Sequence, residues 1–439
     1  MSAFDLQAHL RALWQAPDWR QIGYIRRVIG LTLEASGLNT GIGDVCLIEV
    51  DGKTRLPAEV VGFRDGRILM MPLGELTGIA PGARVIATGE PLRLRVGPGL
   101  VGRVINAVGE PIDGRGPIDM SDHWPTHGVA PAPMKRQLIS MPLEVGVRAI
   151  DGLITCGKGQ RMAIMAGSGV GKSTLLGMMS RNTSADVNCI ALIGERGREV
   201  REFLEHDLGP EGLARSVVVV ATGDEPPLLR IRGALVATAI AEYFRGRGQD
   251  VLLVMDSLTR FAMAQREVGL AIGEPPTTRG YTPSVFSMLP RLLERAGSDE
   301  HGTITGFYTV LVEGDDFTEP IADAVRSIVD GHVVLSRSLA ERNHYPAIDV
   351  LASISRVMNQ VTDERHQAAA GEVRRMLATY KDAEDLVNVG AYKSGTNPAI
   401  DRALASIEQI NAFLRQGRHE PAPWAETMRS LAELAADDD

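Results

Sequence analysis

Residues 160–174 read Gln-Arg-Met-Ala-Ile-Met-Ala-Gly-Ser-Gly-Val-Gly-Lys-Ser-Thr: an apolar run enters a glycine-rich loop that ends in Lys172-Ser173. An apolar-periodic stretch, predicted to be helical over Ser173–Asn182, follows directly. This strand–loop–helix succession is the context a phosphate-binding loop requires. Gly167, Gly169 and Gly171 let the backbone turn with its N–H groups aimed inward, where a Cβ would block close approach. Ser168 and Val170 fill the positions between them, and the helix that opens at Ser173 and Thr174 adds its partial positive charge. Lys172 is placed to set an ammonium on β- and γ-phosphates, and Ser173 to offer a hydroxyl to Mg²⁺. The strict pattern begins with glycine; here that position is Ala166, a change of one methyl group. The pattern implies a site for a nucleoside triphosphate.

Around this unit the chain alternates short apolar runs with helical patterns. Arg161–Met165, Val187–Ile193, Ser216–Ala221 and Val251–Met255 are the predicted strands, and Ser173–Asn182 and Arg230–Arg245 predicted helices. Such alternation predicts an α/β fold, a parallel sheet with helices on both faces. Ahead of it, from Gly23 to Arg95, short β-rich runs separated by Asp51-Gly52 and Asp65-Gly66 predict a small β-barrel. The Pro- and Gly-rich residues from Gly97 to Pro133 read as a connector that wraps a surface. Beyond Asp363 the sequence turns helical and charged. The expected division is 1–18, an amphipathic docking helix carrying Leu6, Leu10, Leu13 and Trp14; 19–95, the barrel; 96–355, the ATP-binding domain; and 356–439, a helical domain.

Composition excludes several classes. At 439 residues with a formal charge of −9, the chain is not suited to broad nucleic-acid binding. Its three cysteines, Cys46, Cys156 and Cys189, lack any zinc-type spacing and read as small buried apolar residues. His123 and His127 are interrupted by Pro125, which disfavours a helical metal pair. No run approaches the length of a membrane span, and the N-terminus lacks a signal-peptide succession. A cytoplasmic protein, peripherally associated with the membrane at most, is expected.

Two further segments carry chemistry. Val251-Leu-Leu-Val-Met255 ends in Asp256, an acid at a strand's carboxyl end, suited to organising the shell of a bound Mg²⁺. Ile193 is followed by Gly-Glu195-Arg196-Gly-Arg-Glu199, a dense charge cluster where open α/β sheets bind ligands. Glu195 is the candidate to polarise an attacking water; Arg196 or Arg260 is the candidate to neutralise phosphoryl charge.

The combination of 166–179, Gly194–Val200, Val251–Arg260, Phe261–Arg266, Gly273–Phe286 and His344–Val350 resembles the type III protein-export ATPases, relatives of the catalytic subunits of rotary ATP synthases. Within that family it looks most like the flagellar export ATPase, with the injectisome ATPase its nearest neighbour. The resemblance implies Mg²⁺-dependent ATP hydrolysis, with Lys172 and Ser173 as triphosphate lysine and metal hydroxyl, Glu195 as catalytic glutamate and Asp256 as the acid of the second strand. It implies that Tyr345 packs on the adenine ring and that Arg356 is an arginine finger reaching a neighbouring subunit's site. It further implies a ring of six. The expected partners are a regulatory stator-like subunit at the N-terminus, a central stalk protein, export-gate membrane proteins, and secreted substrates with their chaperones. Of the competing functions, a rotary synthase subunit would carry a dense acidic helix tip, where Arg374 to Asp385 is of mixed charge. A hexameric RNA translocase would interleave aromatics with basic residues in its front domain, where 23–95 has Tyr24 and Phe63 alone. A subunit that binds nucleotide without turnover would lack Glu195.

Overall fold

The computed structural model describes residues 21–51, 54–312, 316 and 318–436. The predicted docking helix lies outside them. The chain divides into two compact units, one ending at Leu92 and the other running from Arg93.

The first unit is a closed six-stranded barrel of β1 (Ile22–Ile29), β2 (Thr32–Ser36), β3 (Asp44–Glu49), β4 (Arg55–Arg64), β5 (Arg67–Pro72) and β6 (Arg84–Pro91). The strand order is β1-β2-β5-β4-β3-β6, with β6 returning to β1. Its core is small, as a narrow barrel demands: Ile25, Leu33, Ala35, Cys46, Ile48, Ala58, Val60, Ile68, Met70, Val85 and Ala87. Asp65 and Gly66 both take positive φ between the paired Arg64 and Arg67, the geometry a two-residue hairpin loop needs.

The second unit opens with a two-stranded ribbon of β7 (Arg93–Val96) and β9 (Asp122–Pro125). Between them β8 (Val104–Asn106) joins the main sheet beside the strand Ser216–Ala221, so the connector read as a surface wrap also supplies a sheet edge. Three residues are too few to register as a periodic strand. The remaining strands are β10 (Arg161–Ala166), β11 (Val187–Ile193), β12 (Ser216–Ala221), β13 (Asp250–Asp256), β14 (Gly297–Ser298), β15 (Thr303–Leu311), β16 (Gly331–Leu335) and β17 (Ile348–Ser355). Their order is β17-β16-β10-β15-β13-β11-β12-β8, with β14 on β15. β8, β10–β13, β15 and β16 run parallel, while β17 is antiparallel to β16. The four predicted strands all lie in the interior of the sheet, beside β15 and β16, and are apolar along almost their whole length because helices cover both faces.

Helices Glu364–Asn388, Pro398–Leu414 and Trp424–Ala435 pack around the short helix Arg148–Leu153 and share one core with the sheet through Val373, Met376, Ile410, Phe413 and Leu431. Elsewhere the ribbon is pinned by a buried ion pair. Arg295 donates to both Glu242 carboxylate oxygens at 2.7 Å and to the Thr126 carbonyl at 2.9 Å. Glu242→Leu leaves that guanidinium buried without its counter-charge, and urea unfolding is expected to show a loss of about 3–5 kcal/mol. A loss below about 1 kcal/mol would show that water reaches the pair.

Candidate functional site

The parallel strands deliver their carboxyl ends to one edge, and the predicted residues other than Arg196 and Arg356 converge there. β10 ends at Ala166, whose carbonyl accepts from Val312 N–H at 3.0 Å. The chain then turns through Gly169 (φ 78°) and Gly171 (φ 87°), with Val170 buried beneath the loop and Ser168 exposed on it. Helix Lys172–Asn182 starts at Gly171 with no side chain capping it, which leaves its first-turn amides to a ligand. Ser173 and Thr174 lie in that first turn, half-buried.

Lys172 points at two acids. Its ammonium is paired with Asp256 and lies 3.4 Å from Glu195 Oε1. Asp256, at the end of β13, is nearly inaccessible and also accepts from the Thr309 hydroxyl at 2.7 Å. Burial works against the charged lysine, but the Asp256 and Glu195 carboxylates outweigh it and hold its pKa above the usual value. Burial pushes Glu195 up to about 7, aided by the Asp256 charge and a hydrogen bond with Glu199, and opposed by Lys172. Burial pulls Glu199 upward too, but its hydrogen bond with Glu195 and the Arg196 and Arg198 charges bring it below the ordinary carboxylate value. Of this hydrogen-bonded pair, Glu195 is the acid shifted toward holding a proton and Glu199 the one shifted away from it. A carboxyl raised to about 7 suits a general base working near neutrality.

Gly194 (φ 74°) sets Glu195 at the end of β11, and a Cβ there would lie 2.8 Å from Arg260 Cβ. The Arg260 stem thus packs against the turn that carries Glu195, while its backbone N–H is capped by Ser257 Oγ. Arg196 is different: its side chain is 81% exposed and its ion pair is with Glu199 at 3.6 Å. Of the two alternatives for neutralising phosphoryl charge, the fold brings Arg260 to the cluster and turns Arg196 to solvent.

Tyr345 flanks the loop. A Cβ on Gly171 would lie 3.4 Å from its ring, so glycine there serves both the turn and the aromatic. The ring is 40% exposed, an open face for a planar base, and its backbone carbonyl accepts from Gln416 N–H at 2.9 Å. Arg356 lies elsewhere. It follows β17, whose Ser355 pairs with Gly331 at the start of β16, while Ala166 pairs with Leu335 at the end of β16. Four residues of strand, roughly 13 Å at 3.3 Å per residue, separate the two levels. Arg356 is exposed and, among the described residues, has no carboxylate partner.

Two contacts had no signal in the motifs. Thr309 on β15 orients Asp256, and Arg337 donates to the Ser168 carbonyl at 3.4 Å. Thr309 is visible only once β13 and β15 are known to be neighbours. The donor set suits a hard cation accompanying a triphosphate: a hydroxyl at Ser173 and a carboxylate at Asp256. No group of three or more His, Cys, Asp or Glu that could hold a metal by itself occurs among the described residues.

Residues 146–355 match the nucleotide-binding domain of the ATP synthase alpha/beta family, and 25–89 match its beta-barrel domain. Residues 362–433 match the C-terminal domain of the type III secretion ATPase EscN. The chain is 55% identical to the flagellum-specific ATP synthase of Bacillus subtilis (strain 168), over 99% of both chains. It is 54% identical to the type 3 secretion system ATPase of Xanthomonas euvesicatoria, over 95% of both. The structure of assembled EscN from enteropathogenic E. coli superposes with a TM-score of 0.89 at 44% identity, covering 94% of this chain and 100% of that one. EscN in complex with its central stalk EscO gives a TM-score of 0.87 with the same coverage. Family, fold and the Lys172–Glu195–Asp256 cluster agree: the chain belongs to the flagellar and type III secretion ATPases of the ATP synthase alpha/beta family.

Proposed function

We propose that the chain energises protein export through a flagellar type III apparatus, hydrolysing ATP with Mg²⁺ at sites completed by a neighbouring copy in a six-membered ring. The observation that carries the shared site is the placement of Arg356 at the sheet end opposite its own phosphate loop, exposed and, among the described residues, without a carboxylate partner. Loop 166–173 cradles the phosphates and Tyr345 stacks on the base. Lys172 moves from the two carboxylates to the β- and γ-phosphoryl oxygens, and Glu195 takes a proton from the attacking water. Ser173 and Asp256 would hold Mg²⁺, which when bound would supply positive charge against the phosphoryl groups. Arg356 enters from the neighbour, and Arg260 steadies the turn that carries Glu195. The assembled EscN and its complex with a stalk support the ring and a stalk partner here. A regulator at residues 1–18, export-gate proteins, chaperoned substrates and attachment to the inner face of the cell membrane belong to the same proposal. Among the described residues no helix is long and apolar enough to cross a membrane.

The test is the Mg-ATPase rate against chain concentration, with mass by light scattering on the same samples. Specific activity climbing with the transition from monomer to ring is expected; full activity in the monomer would overturn the shared site. The near-equal identity to the Xanthomonas protein supports an injectisome as the second reading. Restoration of motility to a strain lacking its flagellar ATPase, without restoration of effector secretion in an injectisome mutant, separates the two.

The raised pKa of Glu195 sets a pH dependence. A base must be ionised to accept a proton, so kcat/KM is expected to rise with pH and level off above about 7, not above the ordinary glutamate value of about 4.5. Glu195→Gln is expected to cut kcat by about 10²–10⁴ with nucleotide binding retained. A pH profile unchanged down to pH 5 would remove Glu195 as the free enzyme's base.

A further inference from the structure

The backbone of Arg356 is bound to the root of the strand that feeds the chain's own phosphate loop. Its N–H donates to the Asp330 carbonyl at 2.9 Å, and the same carbonyl accepts from Gln160 Nε2 at 3.0 Å. Gln160, wholly buried, also donates to the hydroxyl of Ser355, the residue before Arg356, at 3.1 Å. The Asp330 carboxylate is in turn gripped by Arg161, the first residue of β10. Arg161 donates to it from its backbone N–H at 3.1 Å, from Nε at 3.0 Å and from Nη2 at 3.2 Å, while Asp330 N–H returns a bond to the Arg161 carbonyl at 2.8 Å. Gly331 completes the seat: a Cβ there would fall 2.7 Å from Met162 Sδ and 3.0 Å from Ser355 Cα, so β17 approaches as closely as it does only beside a glycine.

This is more fixation than a strand end requires. Among the described residues the side chain of Arg356, by contrast, is held by one long contact, Nη2 to the Arg326 carbonyl at 3.4 Å. A fixed backbone carrying a free guanidinium is the arrangement for a group that must reach a defined point outside its own subunit. We propose that Asp330 is a positioning residue for Arg356: with Arg161 and Gln160 it sets the height and direction from which the guanidinium enters the neighbouring site. The proposal rests on the reading of Arg356 as a finger acting on the neighbour. Asp330 touches no nucleotide; it works through the Arg356 backbone.

Asp330→Asn keeps the shape and the carbonyl but takes away the charge that Arg161 grips. In the assembled protein it is expected to lower kcat about 10- to 100-fold, the scale of a misplacement near 1 Å, with KM almost unchanged. In an Arg356→Ala background the same substitution is expected to add nothing, because its effect passes through Arg356. Subunit mixing supplies a readout that a merely structural role would not move. Lys172→Ala chains have a dead phosphate loop but an intact finger, so adding them to Asp330→Asn chains is expected to raise activity well above either parent. Asp330→Asn without effect, an equal loss in the Arg356→Ala background, or no rescue on mixing each overturns the positioning role and leaves the finger standing. Wild-type turnover in Arg356→Ala alone would overturn the finger reading, and this inference with it.

Discussion

Lys172→Ala is expected to abolish ATP turnover, with a fall in kcat/KM of about 10³-fold or more, while the fold survives. The size follows from what the ammonium does. It is held between Asp256 and Glu195. On nucleotide entry it is the positive charge delivered to the β/γ-phosphates by the phosphate loop, in a site where electrostatic contacts count for far more than in water. Removing it leaves two carboxylates facing each other and the incoming phosphates. The carboxylates escape their repulsion by taking up a proton, and Glu195, already raised to about 7, is the group that takes it. Stability is therefore expected to change little at pH 6 and to fall more at pH 8, where protonation has to be forced. Calorimetry at the two pH values checks the sign, and steady-state kinetics the rate. Retained turnover in Lys172→Ala would disconnect the glycine loop from the chemistry.

Arg356→Ala carries the second large effect, about 10³- to 10⁵-fold in kcat, with nucleotide affinity nearly intact. A delocalised, permanently charged fork stabilises charge spread over phosphoryl oxygens, and that charge is greatest in the transition state. A group acting only there lowers kcat and leaves ground-state binding alone. Equal losses in rate and affinity would make Arg356 an ordinary binding contact. Mixing Arg356→Ala with Lys172→Ala chains is expected to restore activity, since each supplies the half-site the other lacks; a finger acting on its own subunit would give no recovery.

Much of this was legible before the fold was known, for a physical reason. Strands β10 to β13 are covered on both faces, so each reads as a nearly continuous apolar block, and their carboxyl ends carry the candidate site residues. Lys172, Glu195 and Asp256 could be proposed because each lies at the carboxyl end of such a block or in the short loop that follows it. What escaped depends on neighbours distant in sequence. Thr309 reaches Asp256 only because β15 pairs with β13, and its strand is broken up by Thr305 and Gly306. Asp330 belongs to no motif and acquires its part from the register of β16 on β10. β8 is a three-residue strand inside a Pro/Gly-rich connector. Arg196 and Arg260 were indistinguishable as charges, and only the turn at Gly194 separates them.

The antiparallel turn of β17 has a consequence for counting. It gives every copy a phosphate loop at one end of its sheet and an arginine at the other, so on the proposed reading of Arg356 each copy is half of two different sites. An open arc of n copies therefore holds n − 1 working sites, with a loop idle at one terminus and a finger idle at the other. Closing the circle joins those two leftovers and adds a site without adding a chain. Turnover per chain rises with arc length and reaches its ceiling at closure, so whatever seals or opens the ring also sets the rate.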